Sequence, residues 1–239
     1  MADFVLVHGA WHGGWCWAEV ARDLARRGHR VFAPSLTGCA DRGHLLSPQV
    51  TLATHVEDIL RLIDFESLTG CILVGHSYGG NVISGVADRL RERVAHYAFL
   101  DAAVPQDDAT SLSWSQPHST GVRNSRRESI AQAGRGVFLP PPPAEAFGIT
   151  DPEQAAWLEE RLSPMPGALY DSSIELLRGA SSGLPRTYVA ARRPVYETMR
   201  STHERLRQDR SWRYVEMDTC HDLMVSAPGP TAELLHGLA

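Results

Sequence analysis

Short, continuously apolar runs alternate along the chain with longer stretches whose apolar residues recur at helical spacing. The runs at 4–7 and 71–74 are typical of parallel strands that are buried on both faces. Residues 52–63 carry one apolar stripe at helical spacing, which predicts an amphipathic helix. Strand and helix alternate in this way up to residue 100, and this order predicts a parallel sheet with right-handed crossovers.

The alternation stops at Val104, and residues 105–184 are mostly polar with little periodicity. One clear helix is predicted there, begun by a capping box of Thr150 and Glu153. A chain of 239 residues allows one domain with an insertion about as readily as two domains. We interpret residues 105–184 as a cap, or lid, inserted over the carboxyl edge of the sheet.

Alternation resumes after this segment, where residues 187–191 and 212–217 predict strands that each lead into a helix. The expected fold class is therefore α/β, with a mostly parallel sheet of about six strands and helices on both faces. Residues 1–104 and 185–239 are expected to form this core.

Composition excludes several classes of partner. The hydrophobic content of 43% and charged content of 21% describe an ordinary globular protein, and the net charge of -5 disfavours nucleic acid and anionic membranes. No apolar stretch approaches about 18 residues and no signal pattern opens the chain, which predicts a cytoplasmic protein. The four cysteines lack metal-ligand spacing, so we expect free thiols, no metal and no cofactor.

The sequence Gly75-His76-Ser77-Tyr78-Gly79 directly follows the strand predicted at 71–74. A strand that ends in G-x-S-x-G and leads into a helix places the serine on a sharp turn. Its hydroxyl is then exposed, and the N–H of the next residue is free to bind an oxyanion. Glycine on both sides leaves room for a tightly folded backbone. We therefore interpret Ser77 as a nucleophile.

A serine hydroxyl is a weak nucleophile until a base takes its proton, and histidine is the usual base. Parallel strands place their carboxyl ends at one edge of the sheet, so the base is expected in a loop at that edge. Of the eleven histidines, His221 follows a strand end after the serine. His8, His12 and His76 are expected to make structural hydrogen bonds, and His55 is expected to be a packed or solvated helix residue.

The carboxylate partner of His221 has two candidates, because no carboxylate directly follows the strand at 187–191. Asp101 stands at the end of the preceding strand and faces the same edge, although it could instead be a turn aspartate that opens the cap. Glu197 is the rival, but it lies several residues beyond its strand end, inside a predicted helix. We favour Asp101.

Two stretches of this sequence resemble a known family: residues 4–17, which include the turn His8-Gly9-Ala10-Trp11-His12-Gly13-Gly14, and residues 74–80. They resemble the α/β-hydrolase superfamily, in the branch of plant methyl esterases and hydroxynitrile lyases. The small bacterial esterases that hydrolyse pyrethroids or carbendazim look closer still. The likeness covers residues 4–104 and 186–230, and it leaves the cap almost unmatched.

The resemblance implies roles for individual residues. By this likeness Ser77 is the nucleophile, His221 the base, and the N–H groups of Ala10 and Tyr78 the oxyanion hole. The sequence departs from the plant enzymes at the acid, since they carry an aspartate near the position of Arg192. Haloalkane dehalogenases place their acid at the equivalent of Asp101, which supports that choice by analogy.

The expected function is hydrolysis of a small, largely apolar carboxylic ester or carbamate through an acyl-enzyme. Candidates for an apolar substrate pocket are Trp11, Trp15, Trp114 and Trp157, although tryptophans of this kind are more often plain core. The alternatives are a non-catalytic ligand-binding relative and an amide or lactone hydrolase. Cyanohydrin cleavage is disfavoured, because the plant lyases hold cyanide with a lysine and this sequence contains none.

Overall fold

The computed structural model describes residues 1–178 and 183–239. The strands of this part of the chain are β1 (Asp3–Val7), β2 (Arg30–Phe32), β3 (Cys71–His76), β4 (Val94–Leu100), β5 (Ser111–Ser113), β6 (Phe138–Leu139), β7 (Met165–Pro166), β8 (Ser173–Glu175), β9 (Arg186–Ala191) and β10 (Arg213–Met217). Its helices are α1 (Ala18–Arg26), α2 (Leu52–Phe65), α3 (Gly79–Arg89), α4 (Thr120–Ala131), α5 (Pro152–Glu159), α6 (Arg200–Gln208), α7 (Leu223–Ser226) and α8 (Pro228–His236). No helix in these described residues is both long and apolar enough to cross a membrane.

Six strands form one sheet in the order β10-β9-β4-β3-β1-β2, and each neighbouring pair is parallel. Gly75, near the end of β3, pairs with Val7 of β1 on one side and with Phe99 of β4 on the other. The carboxyl ends of these three strands therefore meet at one edge of the sheet. The predicted α/β fold with a six-stranded parallel sheet is confirmed.

Alternate residues of β1 pack on opposite faces of the sheet, because successive side chains of a strand point to opposite sides. Val5 and Val7 join the apolar cluster that includes the buried faces of α2 and α3. Phe4 and Leu6 join a second cluster, which includes buried residues of α1 and α8. Helices cover both faces as predicted, and this explains why the strand is continuously apolar.

The inserted segment begins after β4 and carries its own small elements. In the residues described between 105 and 178, β5 pairs only with β8 and β6 only with β7, both antiparallel and separate from the main sheet. Trp11 ties this segment to the core, because its Nε1–H donates to the Leu139 carbonyl at 3.2 Å and its own carbonyl accepts from the Ser163 N–H at 2.9 Å. The division into core and cap at 105–184 stays a prediction, and residues 179–182 lie outside the described residues.

Helix α5 begins differently from the prediction. Asp151, not Thr150, is the N-cap, and its side chain accepts a hydrogen bond from the Gln154 N–H at 2.8 Å. Pro152 occupies the first helical position, where its fixed φ and missing N–H are tolerated. The predicted capping box of Thr150 and Glu153 is therefore wrong by one residue, because the proline sets where the helix starts.

Candidate active site

Ser77 lies on the turn between β3 and α3 with a backbone φ of +51°, a left-handed value that non-glycine residues rarely adopt. A Cβ placed on Gly75 would lie 2.7 Å from the Gly79 carbonyl oxygen, and one on Gly79 would lie 2.7 Å from the Val7 carbonyl oxygen. Neither flank has room for a side chain. The serine is thus held on a strained strand-to-helix turn and is only partly buried.

Asp101 directly follows β4 and is fully buried. Its Oδ2 lies 2.6 Å from His221 Nδ1, and its Oδ1 lies 2.6 Å from His203 Nε2 and 3.1 Å from the Ala191 nitrogen. Burial alone raises the pKa of Asp101, but the hydrogen bonds from His203 and His221 outweigh it and lower the pKa to about 2. A charged Asp101 holds the proton of His221 on Nδ1 and leaves Nε2 free to accept another.

Glu197, the rival carboxylate, lies away from His221 in a turn at 197–199. Its side chain is 78% exposed and pairs with Arg200 at 2.8 Å. The resemblance places an acid at the end of β9. That strand end instead contributes the Ala191 N–H, which donates a hydrogen bond to Asp101. The structure therefore brings Asp101 and not Glu197 to the imidazole.

His76 connects the serine turn to the loop that carries His221. Burial lowers the pKa of His76 to about 3, so the ring is neutral, and its Nε2–H donates to the His221 carbonyl at 3.0 Å. The two rings are 4.7 Å apart between centroids. Among the described residues, Ser77 Oγ has no hydrogen-bond partner in the protein. Such bonds often form only when substrate is bound.

The two backbone groups assigned to the oxyanion hole lie in the turns after β1 and β3. Within the described chain, neither the Ala10 N–H nor the Tyr78 N–H donates to a protein acceptor. The Tyr78 hydroxyl donates to His55 Nδ1 at 3.1 Å, and His55 Nε2–H donates to the Thr37 carbonyl at 2.8 Å. His55 is thus the packed helix residue that the sequence predicted, and it fixes the ring of Tyr78.

His12 and Asp222 form a buried ion pair beside these turns. His12 donates from Nδ1 to the Ala10 carbonyl at 2.8 Å and from Nε2 to Asp222 Oδ2 at 3.0 Å. Burial lowers the pKa of His12, but the charge and hydrogen bond of Asp222 outweigh it, so the pKa is raised. The pair links the turn after β1 to the loop of His221.

The structural hydrogen bonds predicted for three histidines are confirmed. His8 donates to the Gly9 carbonyl at 2.8 Å and accepts from the Leu36 N–H at 3.0 Å, while His12 and His76 make the bonds described above. One buried set of potential metal ligands occurs in the described chain, His76, His221 and Asp222, with ligand atoms within 4.8 Å of one another. Two of these residues already use a ring nitrogen in protein hydrogen bonds, and we assign no metal.

The four candidate tryptophans fall into two pairs. The ring centroids of Trp11, which is next to Ala10, and Trp114 lie 5.8 Å apart. The Trp114 ring also contacts the Tyr78 ring, with 5.1 Å between centroids. Trp15 stacks on His12 and meets Trp157 at 5.5 Å, and Trp157 is 39% exposed. The structure therefore brings Trp11 and Trp114 together beside the serine turn and places Trp15 and Trp157 elsewhere. Their role in substrate binding stays a prediction.

A cavity of about 280 Å³ lies between α3, the start of the inserted segment and α6. Its walls include Asn81, Ala103, Trp114 and Arg205. The Ala103 N–H donates to the Ser77 carbonyl at 3.0 Å, so the cavity adjoins the serine turn although Ser77 does not line it.

The sequence analysis missed the side chains that surround His221 and Asp101. Tyr196 stacks on the His221 ring at 4.0 Å between centroids, and Phe147 of the inserted segment lies parallel to it at 6.3 Å. His203, on α6, is the second imidazole on Asp101. None of the three belongs to a motif, because each is positioned by packing between distant segments.

The chain is similar to known proteins along most of its length. Residues 4–234 match the model of a family described as the alpha/beta hydrolase family. A carbendazim hydrolyzing esterase of Nocardioides sp. (strain SG-4G) is 37% identical over 243 residues, which is 100% of both chains. Methyl jasmonate esterase 1 of Vitis vinifera is 30% identical over 164 residues, 67% of this chain and 60% of that relative.

A solved extracellular alpha/beta-hydrolase from a Paenibacillus species superposes with a TM-score of 0.84 at 23% identity, covering 99% of this chain and 98% of that one. The resemblance to plant methyl esterases and to carbendazim-hydrolysing esterases is confirmed. With its parallel sheet and its strained serine turn, the chain belongs to the alpha/beta hydrolase family.

Proposed function

We propose that this protein is a serine hydrolase that cleaves a small carboxylic ester or carbamate through an acyl-enzyme. The observation that carries this proposal is the 2.6 Å hydrogen bond between buried Asp101 and His221, beside the strained turn of Ser77. The substrate class draws on the relatives, one of which is a carbendazim hydrolyzing esterase and another a methyl jasmonate esterase.

In the proposed mechanism, Ser77 Oγ attacks the substrate carbonyl carbon while His221 Nε2 takes the serine proton. Asp101 stabilises the imidazolium that forms. The free N–H groups of Ala10 and Tyr78 bind the tetrahedral oxyanion. When the carbonyl–oxygen bond to the leaving group breaks, His221 returns the proton to the departing alcohol. Water then hydrolyses the acyl-enzyme by the same sequence and regenerates the serine.

A non-catalytic relative was the main alternative, because no carboxylate follows β9. Asp101 weakens that alternative, since it offers His221 a charged partner from the neighbouring strand β4. An amide or lactone hydrolase uses the same machinery. We favour an ester or carbamate over these substrates because of the relatives named above.

Labelling of the serine tests the proposal directly. A fluorophosphonate reacts only with an activated serine, so we expect mass spectrometry to locate the label on Ser77 in the wild-type protein. A panel of esters, carbamates, amides and lactones then defines the substrate class. Absence of label on Ser77 together with absence of turnover across the panel would contradict the proposal.

A further inference from the structure

Arg126, on α4, lies among three aromatic rings next to the candidate active site. Its Cζ atom is 5.0 Å from the ring centroid of Trp114 and 5.5 Å from those of Trp11 and Tyr170. These distances are within the range of cation–π attraction, which holds the guanidinium in place. The side chain is only partly exposed.

The charge of Arg126 has no carboxylate partner. Among the described residues, no carboxylate oxygen lies within 4.0 Å of its guanidinium. Its side-chain hydrogen bonds are a long contact of 3.5 Å to His118 Nε2 and one to the Tyr196 hydroxyl. Its neighbour Arg127 is exposed and pairs with both oxygens of Asp171 at 2.9 Å. A partly buried guanidinium with most of its donors unused is well suited to bind an anion.

The location of Arg126 connects it with both halves of the proposed machinery. Trp11 follows Ala10, whose N–H is assigned to the oxyanion hole. On the opposite side, Tyr196 stacks on His221 at 4.0 Å, and the charge of Arg126 acts on its hydroxyl. Burial raises the pKa of Tyr196, and Arg126 opposes that rise. Arg126 therefore stands between the oxyanion turn and the base.

The charges around Arg126 favour an anion and not a second cation. Burial, followed by the charges of Arg126 and Arg123, lowers the pKa of His118 to about 3, so that ring is neutral. Arg123 adds a second positive charge on the same helix. Its Nη1 donates to the Gln116 carbonyl and its Nη2 to the Thr120 hydroxyl, each at 3.4 Å.

We propose that Arg126 is a substrate-binding residue that recognises a carboxylate on the ester or carbamate substrate. This inference rests on the proposed function and refines it. The substrate class is a small ester with an apolar body that packs on Trp11 and Trp114 and with one carboxylate remote from the scissile carbonyl. The planar guanidinium fork of Arg126 binds that carboxylate through two hydrogen bonds.

Matched substrates test the proposal. Monomethyl esters of dicarboxylic acids of increasing length, including monomethyl terephthalate, are each paired with the neutral methyl ester whose remote carboxylate is a carboxamide. We expect wild-type kcat/KM to favour the carboxylate in the best-fitting pair by about tenfold, the size of one charge-assisted hydrogen bond. In Arg126→Gln this ratio should fall to about one, and Arg126→Lys should retain part of it.

Arg127→Gln is the control, because it removes an adjacent arginine that is exposed and paired, and it should keep the wild-type ratio. Thermal unfolding of each variant checks that it is folded. The proposal is overturned if the wild type prefers no carboxylate in any pair, or if Arg126→Gln keeps the preference.

Binding without turnover separates this inference from the proposed function. In the Ser77→Ala background, calorimetry measures the affinity for terephthalate monoamide against that for the neutral diamide. If Arg126 binds carboxylates, the acid binds more tightly and the difference disappears in Ser77→Ala/Arg126→Gln, even if no ester is hydrolysed by the wild type. Equal affinities for the acid and the amide in the Ser77→Ala protein would count against Arg126, whatever the wild type hydrolyses.

Discussion

Two residues with left-handed backbones carry the proposed chemistry. Ser77 has a φ of +51° and Asp101 a φ of +44°, conformations that cost about 1–3 kcal/mol each for non-glycine residues. Backbone hydrogen bonds hold both of them, because the Asp101 N–H donates to the Val189 carbonyl at 2.7 Å and the Ala103 N–H to the Ser77 carbonyl at 3.0 Å. Strain at these two positions is therefore maintained by β9 and by the loop after β4.

Replacing the acid tests its assignment. Asp101→Asn should leave the fold intact and reduce kcat by up to about 10⁴-fold, because an amide can stabilise the wrong tautomer of His221 and cannot balance the imidazolium. Glu197→Gln should have little effect, since that side chain is exposed and paired with Arg200. Steady-state kinetics of both variants decide the matter, and a large loss in Glu197→Gln with little in Asp101→Asn would reverse the assignment.

Nucleophile and base should behave as one unit. Ser77→Ala and His221→Ala should each remove nearly all turnover, and the double variant should be about as slow as either single one, because the two losses do not add. Kinetics of the three variants on one ester measure this. A double variant much slower than both single ones would show that His221 does not act through Ser77.

At the scale of elements, two histidines join segments that are far apart in the chain. The His12–Asp222 pair connects the turn after β1 with the loop after β10, and His76, at the end of β3, binds the same loop through the His221 carbonyl. The position of His221 thus depends on buried polar contacts with two central strands.

Breaking the His12–Asp222 pair should lower the free energy of unfolding and reduce kcat. Asp222→Asn leaves the buried His12 without its counter-charge, and loss of one partner from a buried pair costs about 3 kcal/mol. The matched control in the same loop is Asp218→Asn, whose exposed pair with Arg193 contributes less than about 1 kcal/mol. Denaturant unfolding and kcat measure both variants, and equal effects at the two positions would contradict the prediction.

The pH dependence of this difference follows from the pKa shifts. The raised pKa of His12 gives stability that is complete below about pH 6.5 and is lost as pH rises through the folded value. Burial raises the pKa of Asp222, but the charge and hydrogen bond of His12 outweigh burial and lower this pKa. The stability that Asp222 contributes is therefore lost at acid pH. The gap between wild type and Asp222→Asn should therefore be widest between about pH 4 and 6.5.

At the scale of the molecule, the inserted segment is fixed to the core in its middle and near its C-terminal end. Besides the bonds of Trp11, the buried carboxylate of Asp88 on α3 accepts from the Leu177 N–H at 2.7 Å and from the Arg178 N–H at 2.8 Å. The segment thereby holds Phe147 and Trp114 next to the core residues of the site.

The free energy of unfolding of the whole chain should depend on the charge of Asp101 at acid pH. Its folded pKa of about 2 lies below the ordinary value, so its stabilising effect is present above about pH 4 and is lost as pH falls toward about 2. The free energy of unfolding of Asp101→Asn should lie about 2 kcal/mol below wild type at neutral pH, and the two should converge in acid. Glu197→Gln is the exposed control, and a gap that widens as pH falls would contradict the expectation.

The sequence predicted those features that depend on local pattern or on the order of elements. The serine turn was found because its strand, glycines and helix are adjacent in the chain. Topology reduced the candidates for the carboxylate partner of His221 to Asp101 and Glu197. His203, Tyr196 and Arg126 were missed, because packing between α6, the loop before it and the inserted segment places them. The pairing of β5 with β8 joins residues about 60 positions apart, and no local pattern predicts it.

The two imidazoles that share Asp101 have a spectroscopic consequence. Short N–H···O⁻ hydrogen bonds deshield the bridging proton, and both bonds here measure 2.6 Å. The ¹H spectrum of the protein should therefore contain two low-field ring N–H resonances, both absent from Asp101→Asn. Phosphonylation of Ser77 places a strongly polar phosphoryl group beside His221, so the His221 resonance should move while that of His203 stays almost unchanged.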